Sequence, residues 1–169
     1  ARRFLEEGAE VTAADSNGPL LAKNVRTLKK IYGAAVSGVR TDILSASSVR
    51  NLMKRTAAAR GTIDILVNAA AVQKPIGGLL EVAAGDWIKC VNTNIVGTML
   101  CCKAALPVMV AKRKGKIINF SGGGATFPRP NFSAYGTSKA AIVRFTETIA
   151  AEFARCGIDI NSVSPGMVY

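Results

Sequence analysis

Apolar and polar positions along the chain repeat with two periods, two residues over short runs and about 3.6 over longer ones. Residues 1–7 read as the end of a helix closed by Gly8. Residues 10–14 read as a short strand ending at Asp15, followed by the turn-prone Ser16-Asn17-Gly18-Pro19. A helix is expected over 20–32, and a strand over 35–39 leads into Thr41-Asp42. The next helix, 45–60, has Ser45 as its N-cap and Gly61 beyond its end. Residues 63–67 form an apolar run of the kind a buried parallel strand shows. Two helices follow, 85–94 and 97–113, with Pro107 expected to bend the second. A strand at 116–120 precedes the longest helix, 133–156, in which Ile142, Phe145, Ile149 and Phe153 recur at helical spacing. A last strand, 158–163, runs up to Pro165-Gly166.

Strands alternating with helices predict an α/β fold, a doubly wound parallel sheet with helices on both faces. No linker, repeat or low-complexity stretch divides the 169 residues, which read as one domain over 1–169. Ordinary proportions of hydrophobic (49%) and charged (20%) residues suit a globular chain. No uninterrupted apolar run reaches the roughly 18 residues of a membrane helix, and residues 1–10 mix Arg with Glu and lack a signal core. A cytoplasmic location is expected. The four cysteines, Cys90, Cys101, Cys102 and Cys156, form no C-x-x-C pair, and the chain has no His. Zinc sites of Cys/His type and His-dependent triads are therefore not expected, and the cysteines read as small reduced hydrophobes. The net charge of +11 raises the question of a nucleic-acid partner. The cations are dispersed, however, and their densest run, Lys112-Arg113-Lys114-Gly115-Lys116, closes a helix, where positive charge complements the dipole. Neither nucleic acid nor membrane is expected as a partner.

The chemistry concentrates in Tyr135-Gly136-Thr137-Ser138-Lys139. Residues four apart on a helix share a face, so Tyr135 and Lys139 point into the same space. A free phenol titrates near 10, and a neighbouring ammonium favours its ionised form. Such a tuned phenol can exchange a proton with a substrate oxygen, a contribution of about 10²–10⁴ in rate.

Placed after a strand and a Gly-rich loop, this segment resembles the Y-x-x-x-K signature of the short-chain dehydrogenase/reductases. Other segments resemble that family's motifs in the same order: Asp64-Ile65-Leu66-Val67-Asn68-Ala69-Ala70-Ala71, Asn92-Thr93-Asn94-Ile95-Val96-Gly97, residues 115–121, and Asn161-Ser162-Val163-Ser164-Pro165-Gly166. The resemblance spans essentially the whole chain. It implies a Rossmann-like sheet and an NAD(P)-dependent oxidoreductase that interconverts an alcohol and a carbonyl by hydride transfer. Tyr135 would be the general acid/base, Lys139 would tune it and bind the nicotinamide ribose, and Asn94 would position a water in the proton relay. The family's substrate-binding serine falls at Gly122. Ser121 is the favoured replacement, Thr126 the other candidate, and the role could also be unfilled. Asp15, at the end of the family's second strand, would accept from the ribose 2′-hydroxyl and repel a 2′-phosphate, which favours NAD over NADP. Asp42 and Ile43 would contact the adenine; Asn68, Ala69 and Ala70 would run beside the adenosine ribose, with Pro165 and Gly166 also on the cofactor. Ala69 departs from the family's Asn, a side chain that helps hold the central sheet together, and Ala71 from its Gly. A small alcohol or ketone is the expected substrate. A homodimer or homotetramer is expected through the helices near 97–113 and 133–156. Phe127-Pro128-Arg129-Pro130-Asn131-Phe132 would border the substrate pocket, Arg129 being either a solvated loop cation or a contact for an anionic group.

By the same resemblance, residues 1–8 match the C-terminal half of the helix that follows the phosphate-binding loop, and no G-x-x-x-G-x-G occurs. Strand 1 and the C-terminal strand are thus expected to be missing, leaving an N- and C-terminally incomplete fold. Unpaired edges, weak NAD binding and marginal stability are expected of the 169 residues alone. A non-catalytic dinucleotide-binding or scaffold protein on the same fold is the alternative.

Overall fold

The computed structural model describes residues 1–165. Gly166, an expected cofactor contact, lies outside the described residues. Where the sequence reads as one domain, the chain's contacts gather into two compact units, Ala1–Thr62 and Ile63–Tyr169.

The first unit holds α1 (Arg2–Glu6), β1 (Val11–Asp15), α2 (Gly18–Tyr32), β2 (Val36–Arg40) and α3 (Ala46–Arg60). The β1 and β2 strands pair in parallel, from Val11 opposite Val36 to Asp15 opposite Arg40. Helix α2 makes the crossover. It starts where Asn17 Oδ1 accepts from Leu20 N at 3.0 Å with Pro19 in the first turn, and it buries Leu21 and Val25. Ser45 caps α3 by accepting from Ser48 N at 3.2 Å, and Gly61 ends it in the left-handed conformation at φ 73°.

The second unit holds β3 (Ile65–Asn68), α4 (Ala84–Val91), α5 (Gly97–Lys112), β4 (Gly115–Phe120), α6 (Ser133–Phe153) and β5 (Ile158–Val163). Its sheet runs β3-β4-β5, all parallel, with Asn68 opposite Asn119 and Phe120 opposite Val163. The first unit's sheet is β1-β2 and the second's is β3-β4-β5. Among the described residues β1 therefore has β2 alone, and β3 has β4 alone, as a neighbour. These are the unpaired edges expected from the sequence, and they bear on the apolar run 63–67. The strand starts at Ile65, and Ile65 and Val67 are 42% and 38% exposed. A strand with a neighbour on one side only loses the flanking cover that its apolar run anticipates.

The helices read separately at 85–94 and 97–113 are continuous over Ala84–Lys112. A five-residue π-turn, Asn92–Val96, joins them. That helix is long and apolar enough to cross a membrane by length and composition. In this fold it is a core helix that buries Cys90, Asn94, Cys101, Cys102, Ala105 and Met109. A buried polar chain ties the layers together: Asn68 Nδ2 donates to Asn119 Oδ1 at 2.9 Å, and Asn119 Nδ2 to Thr146 Oγ1 at 2.9 Å. The four cysteines are free, and burial pushes the Cys101 and Cys102 thiols up to about 11 and about 12. They remain neutral packing residues at any ordinary pH.

Candidate active site

Parallel strands converge their C-terminal ends on one rim of a sheet, where open α/β folds place ligands. In the second unit that rim carries the end of β4, the loop 121–132 and the first turns of α6. Tyr135 and Lys139, one helical turn apart, project from α6 toward it. Lys139 is 2% exposed, and its Nζ donates to the Phe120 carbonyl, the last of β4, at 2.8 Å. The same Nζ stands 5.5 Å from the centre of the Tyr135 ring. Desolvation lowers the lysine's pKa from its ordinary value, and the nearby Cys90 thiol partly opposes that shift. Among the described residues no carboxylate pairs with this ammonium. It is a buried cation with one protein acceptor and further N–H donors to place.

Tyr135 is half-buried, and its hydroxyl has no hydrogen-bond partner among the described residues. It lies directly against Gly122, where a Cβ would stand 2.8 Å from the Tyr135 oxygen and 3.9 Å from Lys139 Cε. Position 122 therefore faces the phenol hydroxyl, and glycine leaves that approach open.

Ser121 does not take this place. Its hydroxyl is buried and donates to the Val163 carbonyl at 3.3 Å, while its backbone N–H donates to the same carbonyl at 3.0 Å. Residues 121 and 122 follow a strand in which neighbours alternate sides, so Ser121 faces β5 when Gly122 faces Tyr135. Thr126 lies exposed farther along the loop.

Asn94 sits in the π-turn with no exposed surface. Its side chain clamps Val72, accepting from Val72 N at 2.8 Å and donating to Val72 O at 2.9 Å, and donates to Ser138 Oγ at 2.8 Å. Ser138 in turn donates to the Tyr135 carbonyl at 2.7 Å. One amide thus fixes the chain after β3 to the turn of α6 that carries Tyr135 and Lys139. The sequence pattern indicated Asn94 but not Ser138, which stands three residues after Tyr135 on the same helix.

The remaining expected cofactor contacts fall in both units. In the first, Asp15 is exposed at the end of β1, and its Oδ1 accepts from Asn17 N at 2.8 Å. Asp42 is exposed, with Oδ1 accepting from Leu44 N at 2.9 Å, and Ile43 is half-buried beside it. In the second, Ala69, Ala70 and Pro165 are exposed. Asn68 turns its side-chain amide across the sheet to Asn119, which leaves its backbone for a neighbouring ligand.

Each unit, taken by itself, carries a group suited to a nicotinamide dinucleotide. Asp15 keeps one carboxylate oxygen free of protein donors, and buried Lys139 keeps N–H donors beyond the one given to Phe120. No cluster of three or more metal-ligating side chains occurs among the described residues.

A family model described as short chain dehydrogenase matches residues 1–169. The (2S)-[(R)-hydroxy(phenyl)methyl]succinyl-CoA dehydrogenase subunit BbsD of Thauera aromatica is 34% identical over 174 residues, covering 100% of this chain and 67% of that protein. The 2-(R)-hydroxypropyl-CoM dehydrogenase of Xanthobacter autotrophicus is 34% identical over 170 residues, covering 99% of this chain and 68% of that one. Among solved structures, a gluconate 5-dehydrogenase from Burkholderia cenocepacia in complex with NADP and tartrate has a TM-score of 0.91 at 31% identity, covering 98% of this chain and 64% of its own. An NAD+-bound xylitol dehydrogenase has a TM-score of 0.93 at 29% identity, covering 97% of this chain and 63% of its own. The chain thus spans about two thirds of the length of these four proteins.

Proposed function

The chain belongs to the short-chain dehydrogenase family, and from that premise we propose that the protein is an NAD(P)-dependent oxidoreductase that interconverts an alcohol and a carbonyl, with Tyr135 as its acid/base. The observation that carries this reading is the free Tyr135 hydroxyl facing the bare backbone of Gly122, with the buried Lys139 ammonium 5.5 Å from its ring.

When bound, the nicotinamide supplies or accepts the hydride. The chain's own residues handle the proton. In the oxidative direction Tyr135 Oη takes the proton of the substrate hydroxyl; in the reductive direction it returns one to the carbonyl oxygen. Lys139 stabilises the negative charge that develops on the phenol oxygen, and its burial strengthens that effect by excluding water. A ribose hydroxyl is the natural acceptor for its remaining N–H groups. The side-chain amide of Asn94 is engaged by Val72 and Ser138, and its backbone carbonyl accepts from Thr98 Oγ1 at 2.7 Å, so a relay water held by Asn94 would share that carbonyl with Thr98. Ser121, spent on Val163, has no part in contact with the substrate oxygen in this reading.

The named solved relatives include one with NADP and one with NAD+. Asp15, with its free carboxylate oxygen at the end of β1, supports NAD for this protein. A homo-oligomer is supported by an apolar groove of about 380 Å³ on α5 and α6, lined by Met99, Leu106, Val110, Phe145, Ile149 and Phe153. Light scattering on the whole protein tests that assembly.

Gly122 in the family's serine position favours a second reading, a non-catalytic dinucleotide-binding protein on the same fold. One experiment separates the two. A panel of alcohols and ketones is run with NAD(H), following NADH absorbance, with Tyr135→Phe as control. Turnover lost in the variant by about 10²-fold or more supports the acid/base role; undiminished turnover in the variant, or none in the wild type, sinks it.

A further inference from the structure

Arg129 lies in the loop before α6, and its environment is built rather than solvated. Its guanidinium stacks on the Phe132 ring, 3.8 Å from the centroid, and stands 6.0 Å from the centre of the Tyr135 ring. The glycine run makes this possible. A Cβ on Gly123 would come within 3.5 Å of Arg129 Nη1, and one on Gly124, whose φ is +90°, within 3.3 Å of Arg129 Cβ. The side chain thus lies over bare backbone, with one guanidinium face against an aromatic ring.

Stacking occupies the face of a guanidinium and leaves the N–H groups at its edge. Several arginines of this chain spend those donors, while the side chains of Arg2, Arg26, Arg50, Arg55 and Arg155 have no ring beneath them and no partner among the described residues. Arg60 meets Glu10 and the Ala34 carbonyl, Arg113 the Arg155 carbonyl, Arg40 the Ser16 carbonyl and Arg144 the Glu147 carboxylate. Arg129, equally well packed, has neither a carboxylate nor a hydrogen-bond acceptor among the described residues. A cation held in place beside a free acid/base, with an unspent planar fork, is a receptor for a bidentate anion. A single guanidinium matches a single carboxylate in charge and in shape.

We propose that Arg129 is the specificity-determining residue of the pocket, and that the substrate is a small hydroxy acid or oxo acid whose carboxylate meets the guanidinium edge. This rests on the oxidoreductase reading, in which the reacting oxygen faces Tyr135. The 6.0 Å between guanidinium and phenol ring calls for a short carbon skeleton between the two groups.

The test is a binding measurement that does not need turnover. 3-Hydroxybutyrate and mandelate are titrated by calorimetry against their uncharged methyl esters in the NAD-loaded whole protein, in its Tyr135→Phe form, and in Arg129→Met and Arg129→Lys. The acids are expected to bind at least about tenfold more tightly than the esters in wild type and in Tyr135→Phe. Arg129→Met should abolish that preference, and Arg129→Lys, which keeps the charge but not the fork, should retain only part of it. Equal binding of acid and ester, no binding of either acid, or a preference unchanged in Arg129→Met overturns the proposal. NADH absorbance in the same samples reports the oxidoreductase reading independently: acid binding without turnover would count against that reading and leave the anion site standing.

Discussion

Replacing Gly122 by alanine puts a methyl carbon 2.8 Å from Tyr135 Oη and 3.6 Å from Cζ. Ordinary contact begins at about 3.4 Å, so the phenol oxygen must withdraw by about 0.6 Å or the loop must yield. The loop at 122 is buried and continues directly from β4, which makes the hydroxyl at the end of the tyrosine ring the softer partner. Misplacing a reacting group by about 1 Å can cost about 10²-fold in rate, so a shift of this size should lower kcat by roughly tenfold. Serine at the same position makes the same steric demand but adds a donor that can meet the substrate oxygen. Such donors are worth about 10²–10³ in hydrolases, so Gly122→Ser should turn over at least about tenfold faster than Gly122→Ala. The assay is steady-state NADH absorbance on the best substrate of the panel, with thermal melts to show that both variants fold. Wild-type kcat in the alanine variant would refute the placement of the Tyr135 hydroxyl at the reaction centre. A serine variant no better than alanine would refute the presence of a substrate oxygen beside residue 122.

Lys139→Met should abolish turnover while the protein still folds, because methionine fills the buried channel but leaves the Phe120 carbonyl without its donor. The lysine's pKa is lowered on folding, so between that lowered value and its ordinary 10.5 the unfolded chain binds more protons and wild-type stability rises with pH; urea melts across that window should show wild type gaining on Lys139→Met, and parallel curves would contradict the buried-cation assignment. Asn94→Ala removes the bonds to Val72 and Ser138 and should cost about 1–3 kcal/mol, a fall of roughly 2–10 °C in Tm, with kcat lowered as the Tyr135 turn loosens; an unchanged melt would show the clamp to be dispensable. Asp15→Ala should lower kcat/KM for NAD by about tenfold relative to NADP, because it removes the carboxylate and leaves Arg40, its partner across the β1–β2 pair, as the local charge; an unaltered ratio would separate Asp15 from cofactor choice.

Most of the fold was legible because its signals are local. Ser45 and Gly61 bracket α3 as capping chemistry requires, and Asp15 ends β1 where the turn residues begin. What was misjudged depends on neighbours that a local pattern does not carry. Within the run 63–67 the strand starts only at Ile65, while the half-exposure of β3 is the unpaired edge that was expected, since burial is set by flanking elements rather than by the strand's own residues. The break placed near residues 95–96 has a similar cause. Asn92-Thr93-Asn94 are poor helix formers and Gly97 reads as a stop, but a π-turn absorbs them without ending the helix.

The site divides along the same line. Tyr135 and Lys139 meet because of a fixed helical spacing, which sequence expresses directly. The serine question turned on a two-residue periodicity at the end of β4, where a shift of one position reverses the side-chain direction. Ser121 and Gly122 cannot both face the phenol, and the Val163 carbonyl claims Ser121. The polar tie across the sheet is a contact between residues 51 apart in the chain, Asn68 to Asn119, with Thr146 behind it. Asn68 therefore belongs to the mechanical support of the rim, as Asn94 and Ser138 do. Asn94 and Ser138 are buried and spent on one another, whereas the Tyr135 hydroxyl, the spare donors of Lys139 and the edge of Arg129, the groups proposed to meet ligands, have no protein partner among the described residues.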